Sequence, residues 1–333
     1  MTKEEIIYRR LFAQHLLSPA SAEDIAGNLC GVQAQFLSHA LHGLKIRGAD
    51  NADGLIKSWT IRGTMHLFPQ KDLPLFLYNG REHFLRNCDT FQTDTYMSAK
   101  RKEYFSKLIL DAIAQGTDHR EGLKIICENA GMCESESRSA FDPWGGLIRA
   151  MCEEGKICHK VQEKKAYSLC PAFQPMEKNE ACLELIGRYF KAFGPATIKD
   201  AAAFFGFTQR EIKSYLHLLP LQETVFDGKS YFYIGEEGVK GHIPQCLFLS
   251  GFDQFLLGYE KKESLILPPE RIRDIYTLAG IVRPTLLING EVAGYWNLKN
   301  KKLNITMFGN DHEEIIKTKA HELWSDLKEI KFT

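Results

Sequence analysis

The chain lacks the basic charge excess and the long apolar runs that mark several large protein classes. Its 333 residues carry 42 basic and 42 acidic side chains, so the formal net charge is zero. Proteins that bind nucleic acid usually show a basic excess. Its absence argues against strong non-specific DNA binding and leaves room for a local basic groove. No apolar run approaches the length of a membrane span.

Cysteine pairs of the CxxC kind are also absent, although the chain has nine cysteines. Their odd number and scattered positions indicate neither a disulfide framework nor a zinc ribbon. We expect reduced thiols that pack in the interior of a cytoplasmic protein. The spacings among Cys127, Cys133, Cys152, Cys158 and His159 match no familiar metal site, so no metal and no cofactor is predicted. The charged first residues lack the apolar segment of a secretory signal.

The chain contains enough apolar residues for several small cores, since 44% of its residues are hydrophobic. Its length suggests two to four small domains. Helical spacing of apolar residues predicts helices over 3–17, 22–30 and 37–46. A short helix near Asp53 to Trp59 and an extended run over 64–68 are expected to follow. Helices followed by a strand are the order found in a winged-helix unit.

Two later segments repeat this pattern of helices followed by a β-hairpin. In the first, a helix from Asp142-Pro143 to Glu154 precedes a hairpin over 156–170 whose turn is basic. In the second, Thr197 and Thr208 open two short helices separated by a glycine, and a hairpin with an Asp-Gly turn follows. The second segment is the clearest winged-helix signal in the chain.

Beyond residue 240 the pattern changes to short strands closed by a final helix over 311–327. Asn289-Gly290 is a strong signal for a type I′ hairpin. We therefore predict an α+β fold in which tandem winged-helix units, each a helix-turn-helix plus a β-hairpin, precede a small C-terminal antiparallel β-barrel-like domain. The expected boundaries are 1–75, 76–175 and 176–240 for the winged-helix units, and 241–333 for the β-rich domain.

A pair of glutamines follows the second predicted helix. Gln33 and Gln35 come just after Gly31, which stands where a helix end favours a left-handed residue. Residues two apart share a face on an extended backbone, so we predict both amides on one side of a turn between helices. Such a pair can hold one water or one polar ligand atom. The spacing alone, however, favours glutamines that cap helix ends or face solvent.

The extended run after the glutamines reads WTIRGTMHLF. Thr64 and His66 share one face of this run, whereas Met65 and Leu67 take the other and resemble core residues. Arg62 stands at a turn, where a phosphate contact and a surface ion pair are equally compatible with the sequence. His66 either packs as an ordinary histidine, contacts a phosphate or orients a water.

The GVQAQ turn followed by W-x-x-R-G-T-x-H-L resembles the tandem winged-helix DNA glycosylases of the AlkZ/YcaQ type. The runs FDQFLLGY at 252–259 and GIVRPTLLINGEVAGYW at 280–296 resemble the C-terminal part of the same family. Together these motifs extend the resemblance over nearly the whole chain. It implies tandem winged helices that form a concave surface for double-stranded DNA.

The resemblance also implies an activity, the excision of cationic N-alkylated purines with N7 or N3 adducts, including bulky or crosslinked ones. Gln33 and Gln35 match the catalytic Gln-x-Gln of the family, although Ala34 is smaller than the apolar residue expected between them. No lysine lies beside the pair, so a monofunctional enzyme without lyase chemistry is expected, acting as a monomer. Supporting or DNA-binding roles are expected for Arg62, Thr64 and His66.

Two other function classes remain compatible with the sequence. A winged-helix transcription regulator would normally dimerise on a two-fold site, and the lack of a heptad-like dimer helix weighs against it. A catalytically silent module that binds DNA or a protein is the other. Structural roles are predicted for three residues of the family-like C-terminal runs, Asp253, Arg283 and Trp296.

Overall fold

A computed structural model describes residues 1–81, 97–142, 146–236, 241–309 and 312–333 of the protein. These residues form two compact units. The first unit comprises Met1–Asp53 and Leu185–Thr333, and the second comprises Gly54–Glu184. No helix among the described residues is long and apolar enough to cross a membrane.

The described residues contain both α-helices and β-strands along the whole chain. The α-helices are α1 (Lys3–Ala13), α2 (Ala22–Asn28), α3 (Leu37–Lys45), α4 (Leu73–Phe76), α5 (Ala99–Ala114), α6 (Arg120–Asn129), α7 (Glu134–Ala140), α8 (Gly146–Glu153), α9 (Lys178–Ala192), α10 (Ile198–Phe205), α11 (Gln209–Leu216), α12 (Gln254–Leu257), α13 (Ile272–Ile275) and α14 (Glu313–Leu323). The strands are β1 (Val32–Gln33), β2 (Leu55–Trp59), β3 (Met65–Pro69), β4 (Ile157–His159), β5 (Tyr167–Leu169), β6 (Gln222–Phe226), β7 (Lys229–Tyr233), β8 (Cys246–Leu249), β9 (Thr285–Ile288), β10 (Glu291–Lys299), β11 (Lys302–Met307) and β12 (Glu329–Phe332).

Capping residues set the limits of α10 and α11 in the first unit. Thr197 and Thr208 each precede a helix and accept a backbone N–H of its first turn, and the acidic residue three positions later accepts the N–H of the threonine. This reciprocal capping box satisfies backbone donors that the helix itself leaves unpaired. Gly206 ends α10 in a left-handed conformation, with φ of 68°. The two helices predicted for this segment are therefore present.

Three hairpins of the first unit turn through pairs of residues with positive φ. Asp227-Gly228 joins β6 to β7, Asn289-Gly290 joins β9 to β10, and Asn300-Lys301 joins β10 to β11. Both residues of each pair have φ between 49° and 82°, as a type I′ turn requires. The predicted type I′ hairpin at Asn289-Gly290 is confirmed.

The C-terminal sheet is open and mixed, so the predicted antiparallel barrel-like domain is wrong in two respects. Its strand order is β12-β11-β10-β9-β8, with β12 and β8 at opposite edges. The edge strand β12 runs parallel to β11 and places Leu303 beside Ile330. This pairing joins residues far apart in sequence, which a local pattern does not reveal. Helix α14 packs Ile316 and Ala320 into the core beneath this sheet.

The second unit contains the antiparallel strands β3, β2, β4 and β5 in that spatial order. The helix predicted near Asp53 to Trp59 is wrong, because Leu55–Trp59 forms β2 and pairs along its whole length with β3. A helix of seven residues gains few hydrogen bonds for its nucleation, whereas the ladder satisfies the backbone of the strand. The predicted 156–170 hairpin is present as β4 and β5.

One hydrophobic core lies between this sheet and the helices of the second unit. Trp59 and Met65 contribute from the sheet, Phe105 and Ile109 from α5, and Met151 from α8. The face of α5 that carries Phe105 and Ile109 is therefore buried. Within the described residues α8 begins at Gly146, while Pro143 of its predicted start and Asp311 of the predicted final helix lie outside them.

Candidate active site

The glutamine turn begins where α2 ends in the first unit. Cys30 and Gly31 both have positive φ, at 51° and 86°, and the Gly31 N–H donates to the carbonyl of Ala26 at 2.8 Å. Side chains disfavour a left-handed backbone, which makes glycine the natural residue at this helix end. The chain then becomes extended through Val32 and Gln33.

The two glutamine side chains meet on one side of this extended segment. Gln33 Nε2 donates a hydrogen bond to Gln35 Oε1, with 2.5 Å between the nitrogen and the oxygen. Ala34 between them is fully buried, and Gln33 is 7% exposed. The prediction that both amides share a face is therefore confirmed.

This geometry defines what the glutamine pair offers to a ligand. Within the described residues, the Gln35 side chain bonds only to Gln33, so its NH₂ group can donate elsewhere. An amide oxygen accepts two hydrogen bonds, and Gln35 Oε1 uses one of them for Gln33. The pair thus presents fixed neutral dipoles, with a donor and an acceptor side by side, and no group that titrates near neutral pH.

Arg62 lies in a tight turn of the second unit, between β2 and β3. Arg62 and Gly63 have φ of 61° and 62°. The Gly63 N–H donates to the Thr60 carbonyl, and the Thr60 N–H donates to the Thr64 carbonyl, each at 3.2 Å. The left-handed conformation costs a non-glycine residue such as Arg62 about 1–2 kcal/mol. Such strained residues persist where surrounding contacts hold them, and they concentrate at functional sites.

His66 follows this turn on β3 and is fully buried. Its Nδ1 lies 3.1 Å from the Thr64 carbonyl, which only accepts, so Nδ1 carries the proton and Nε2 is the acceptor in the neutral ring. Burial, and then the positive charge of Arg62, lower the pKa of His66 to about 3. The imidazole is therefore neutral at physiological pH and is a poor source of a proton.

Two polar atoms next to the Arg62 turn make no hydrogen bond with the part of the chain that the structure describes. They are Thr64 Oγ1 and His66 Nε2, and both are inaccessible to solvent. Buried polar atoms are nearly always paired, so a water or a ligand atom at this turn would find a hydrogen-bonding group on each of these two side chains.

The structure therefore groups the predicted site residues in two sets. Gln33 and Gln35 form a hydrogen-bonded pair in the first unit, and Arg62, Thr64 and His66 lie on one turn and strand of the second unit. Sequence reasoning missed Arg149 and Glu153 on α8: Arg149 donates to the Gly63 carbonyl of the Arg62 turn and to the Glu153 carboxylate. Their spacing of four residues on a helix was the available signal, but it is common on surface helices.

The residues predicted to be structural have structural contacts in the first unit. Asp253 accepts two hydrogen bonds from the Arg47 guanidinium, at 2.7 and 3.0 Å, and this ion pair is buried. The neighbouring Arg47 charge holds the pKa of Asp253 below its usual value despite the opposing effect of burial, which is the largest single influence on that carboxyl. Trp296 Nε1 donates to the Leu249 carbonyl, and the Arg283 guanidinium lies 4.4 Å from the centre of the Tyr295 ring.

Comparison with known proteins places the chain in a family. The family model described as DNA glycosylase AlkZ-like matches residues 26–312. An "Interstrand DNA cross-link repair glycosylase" of Streptomyces sahachiroi is 26% identical over 336 aligned positions, covering 90% of this chain and 88% of that protein. The solved structure of Streptomyces sahachiroi DNA glycosylase AlkZ matches with a TM-score of 0.79 at 21% identity, covering 100% of this chain and 99% of that one. The chain belongs to the AlkZ-like DNA glycosylase family and is an enzyme of that class.

Proposed function

We propose that the protein is a monofunctional glycosylase that excises cationic N-alkylated purines from double-stranded DNA. The observation that carries this proposal is the contact between the Gln33 and Gln35 amides, which supplies polar groups held in place without an acid or a base. The name of the Streptomyces relative, an interstrand cross-link repair glycosylase, supports including bulky and crosslinked adducts among the substrates.

The proposed chemistry needs only a positioned water and fixed dipoles. A purine alkylated at N7 or N3 is already cationic, so it departs with the electron pair of the glycosidic bond and becomes neutral. Gln35 holds the attacking water below C1′ through its NH₂ group and the second lone pair of its carbonyl, and Gln33 fixes Gln35. The water oxygen bonds to C1′, and its excess proton passes to solvent because an amide scarcely accepts one at pH 7. Fixed dipoles stabilise the positive charge that develops on the sugar.

Contacts to the DNA backbone are proposed for the Arg62 turn. The Arg62 guanidinium binds a phosphate near the lesion, while the buried Thr64 hydroxyl and the neutral His66 ring offer hydrogen bonds to an ordered water. His66 takes no part as an acid, because its pKa lies near 3. This arrangement restricts the enzyme to lesions that are good leaving groups without protonation.

The remaining DNA contacts are proposed for winged-helix units. Helices α10 and α11 with the β6–β7 hairpin form one unit, and α8 with the β4–β5 hairpin forms another, whose turn carries Lys164 and Lys165. The segments 1–75, 76–175 and 176–240 remain our division of the chain into such units. The net charge of zero implies that only a few phosphates are contacted.

A duplex with one 7-methylguanine tests this function directly. We expect the protein to release the free base and to leave the strand intact until alkali cleaves the abasic site. Release of 3-methyladenine from methylated DNA is expected as well. An enzyme that released only uracil or 8-oxoguanine would contradict the proposal, and strand cleavage by the protein itself would contradict a monofunctional mechanism.

A further inference from the structure

Arg149 connects helix α8 to the Arg62 turn in the second unit. Its Nη2 donates to the Gly63 carbonyl at 3.4 Å, and its Nε donates to Glu153 Oε1 at 2.8 Å. The guanidinium carbon lies 4.3 Å from the centre of the Trp59 ring. Arg149 therefore joins the carbonyl of the left-handed Gly63 to a carboxylate one helical turn away and to an aromatic face on β2.

This ion pair is largely removed from solvent. The side chains of Arg149 and Glu153 are 11% and 3% exposed. Burying two charges is expensive, and a buried pair is often no more stabilising than apolar residues of the same shape. The contribution of this ion pair to fold stability is thus a weak explanation for it. A stronger explanation is that the pair fixes the position of the backbone that Arg149 contacts.

The backbone that Arg149 touches belongs to a strained turn. Arg62 adopts an unfavourable left-handed conformation, and such residues persist only where neighbouring contacts fix them. On one side of the turn, Thr60 Oγ1 donates to the carbonyl of Phe76. On the other side, Arg149 donates to Gly63 from a forked, planar guanidinium that can serve two acceptors at once.

We propose that Arg149, oriented by Glu153 and Trp59, is a positioning residue that fixes the Arg62 turn for contact with the DNA backbone. The inference rests on the proposed function, in which Arg62 binds a phosphate and His66 lies beside it. Arg149 acts through the turn and touches no reacting atom. Loss of Arg149 should therefore weaken DNA binding in the same way as loss of the contact between Arg62 and a phosphate.

The chain offers a matched control in the same unit. Arg138 and Glu134 on α7 form an ion pair with the same spacing of four residues at 2.9 Å, but their side chains are 76% and 88% exposed. Replacing both residues in each pair, as Arg149→Met/Glu153→Gln and Arg138→Met/Glu134→Gln, avoids leaving one buried charge without its partner. Arg149→Lys keeps a positive charge beside Glu153 but removes the planar, forked guanidinium. This variant therefore tests whether the guanidinium geometry matters while the ion pair is retained.

Two measurements report on the turn itself. The first is the slope of log K against log salt for undamaged duplex DNA, in which each phosphate contact contributes about −0.9. We expect Arg149→Met/Glu153→Gln to make this slope shallower by about 0.9, the share of one phosphate contact. Added to Arg62→Ala, the same double substitution should not change the slope further. The second is the ring resonance of His66 in protein labelled with ¹³C-histidine, which we expect to shift in the same variant.

Base release from the 7-methylguanine duplex is measured on the same proteins. We expect Arg149→Met/Glu153→Gln to release the base at a rate at least tenfold below that of the native protein. Arg149→Lys should have a rate between those two. The control Arg138→Met/Glu134→Gln should stay within about twofold of the native rate. Native salt slope and native His66 resonance in both Arg149 variants would overturn the positioning role. If the native protein releases no alkylated base, the proposed function fails, while the salt slope and the His66 resonance still decide whether Arg149 holds the turn.

Discussion

A double-mutant cycle on the glutamine pair tests the contact at the centre of the proposed site. Gln35→Ala removes the amide that we expect to hold the water, which by analogy with a lost oxyanion-hole donor costs about 2–4 kcal/mol. That loss corresponds to a rate about 30- to 900-fold lower. Gln33→Ala removes the donor that lies 2.5 Å from Gln35 Oε1 and leaves Gln35 less well oriented, so it also lowers the rate.

The two losses overlap because the side chains touch. Residues in direct contact show coupling energies of about 0.5–3 kcal/mol, so we expect the double alanine variant to lose less than the sum of the two single variants. The assay is single-turnover release of 7-methylguanine from duplex DNA at saturating enzyme. Gln115→Ala, at an exposed position after α5, serves as the control and is expected to stay near the native rate.

Two results of this cycle would refute the reasoning. Losses that add within about 0.5 kcal/mol would mean that the two amides act independently, in spite of their hydrogen bond. Native rates in both single variants would place the active site elsewhere in the chain.

Three other predictions concern single residues of the site. Arg62→Ala should reduce the salt slope of binding to undamaged duplex by about one unit, and an unchanged slope would assign Arg62 to a structural role. His66 is neutral when folded and binds a proton more readily when unfolded, so it contributes stability above pH 6.5 that is lost as the pH falls towards 3. His66→Gln should therefore flatten the dependence of unfolding free energy on pH between 4 and 6, by up to about 1.4 kcal/mol per pH unit, and chemical denaturation across that range measures it. Gln35→Asp should retain far more activity on cationic lesions than Gln35→Ala, because a carboxylate also stabilises positive charge on the sugar; equal activity of the two variants would exclude this.

Local sequence chemistry predicted much of the fold of the first unit. Asn289-Gly290 forms the expected turn because few residue pairs adopt positive φ easily, and Thr197 and Thr208 cap helices because their hydroxyls reach the first backbone N–H groups. Each of these signals depends on only a few neighbouring residues, so no information about distant parts of the chain is needed to interpret them.

The errors concern strand pairings, which the apolar spacing within a single segment does not reveal. Leu55–Trp59 is a strand because β3 lies beside it, and Glu329–Phe332 was missed because it pairs with a strand whose residues lie 27 positions earlier, as Lys302 does with Glu329. Separation along the sequence also explains which site residues were predicted and which were missed. The shared face of Gln33 and Gln35 depends on residues two positions apart and was predicted from their spacing, whereas Arg149 meets Gly63 across 86 residues and was not predicted.

The comparison of a cationic and a neutral lesion tests the central mechanism most directly. Native protein is incubated with two otherwise identical duplexes, one with a single 7-methylguanine and one with a single hypoxanthine, and the free bases are quantified over time. Fixed amide dipoles and a neutral His66 predict rapid release of 7-methylguanine and almost none of hypoxanthine. Efficient release of hypoxanthine would contradict the mechanism, because that base departs readily only when an acid protonates it.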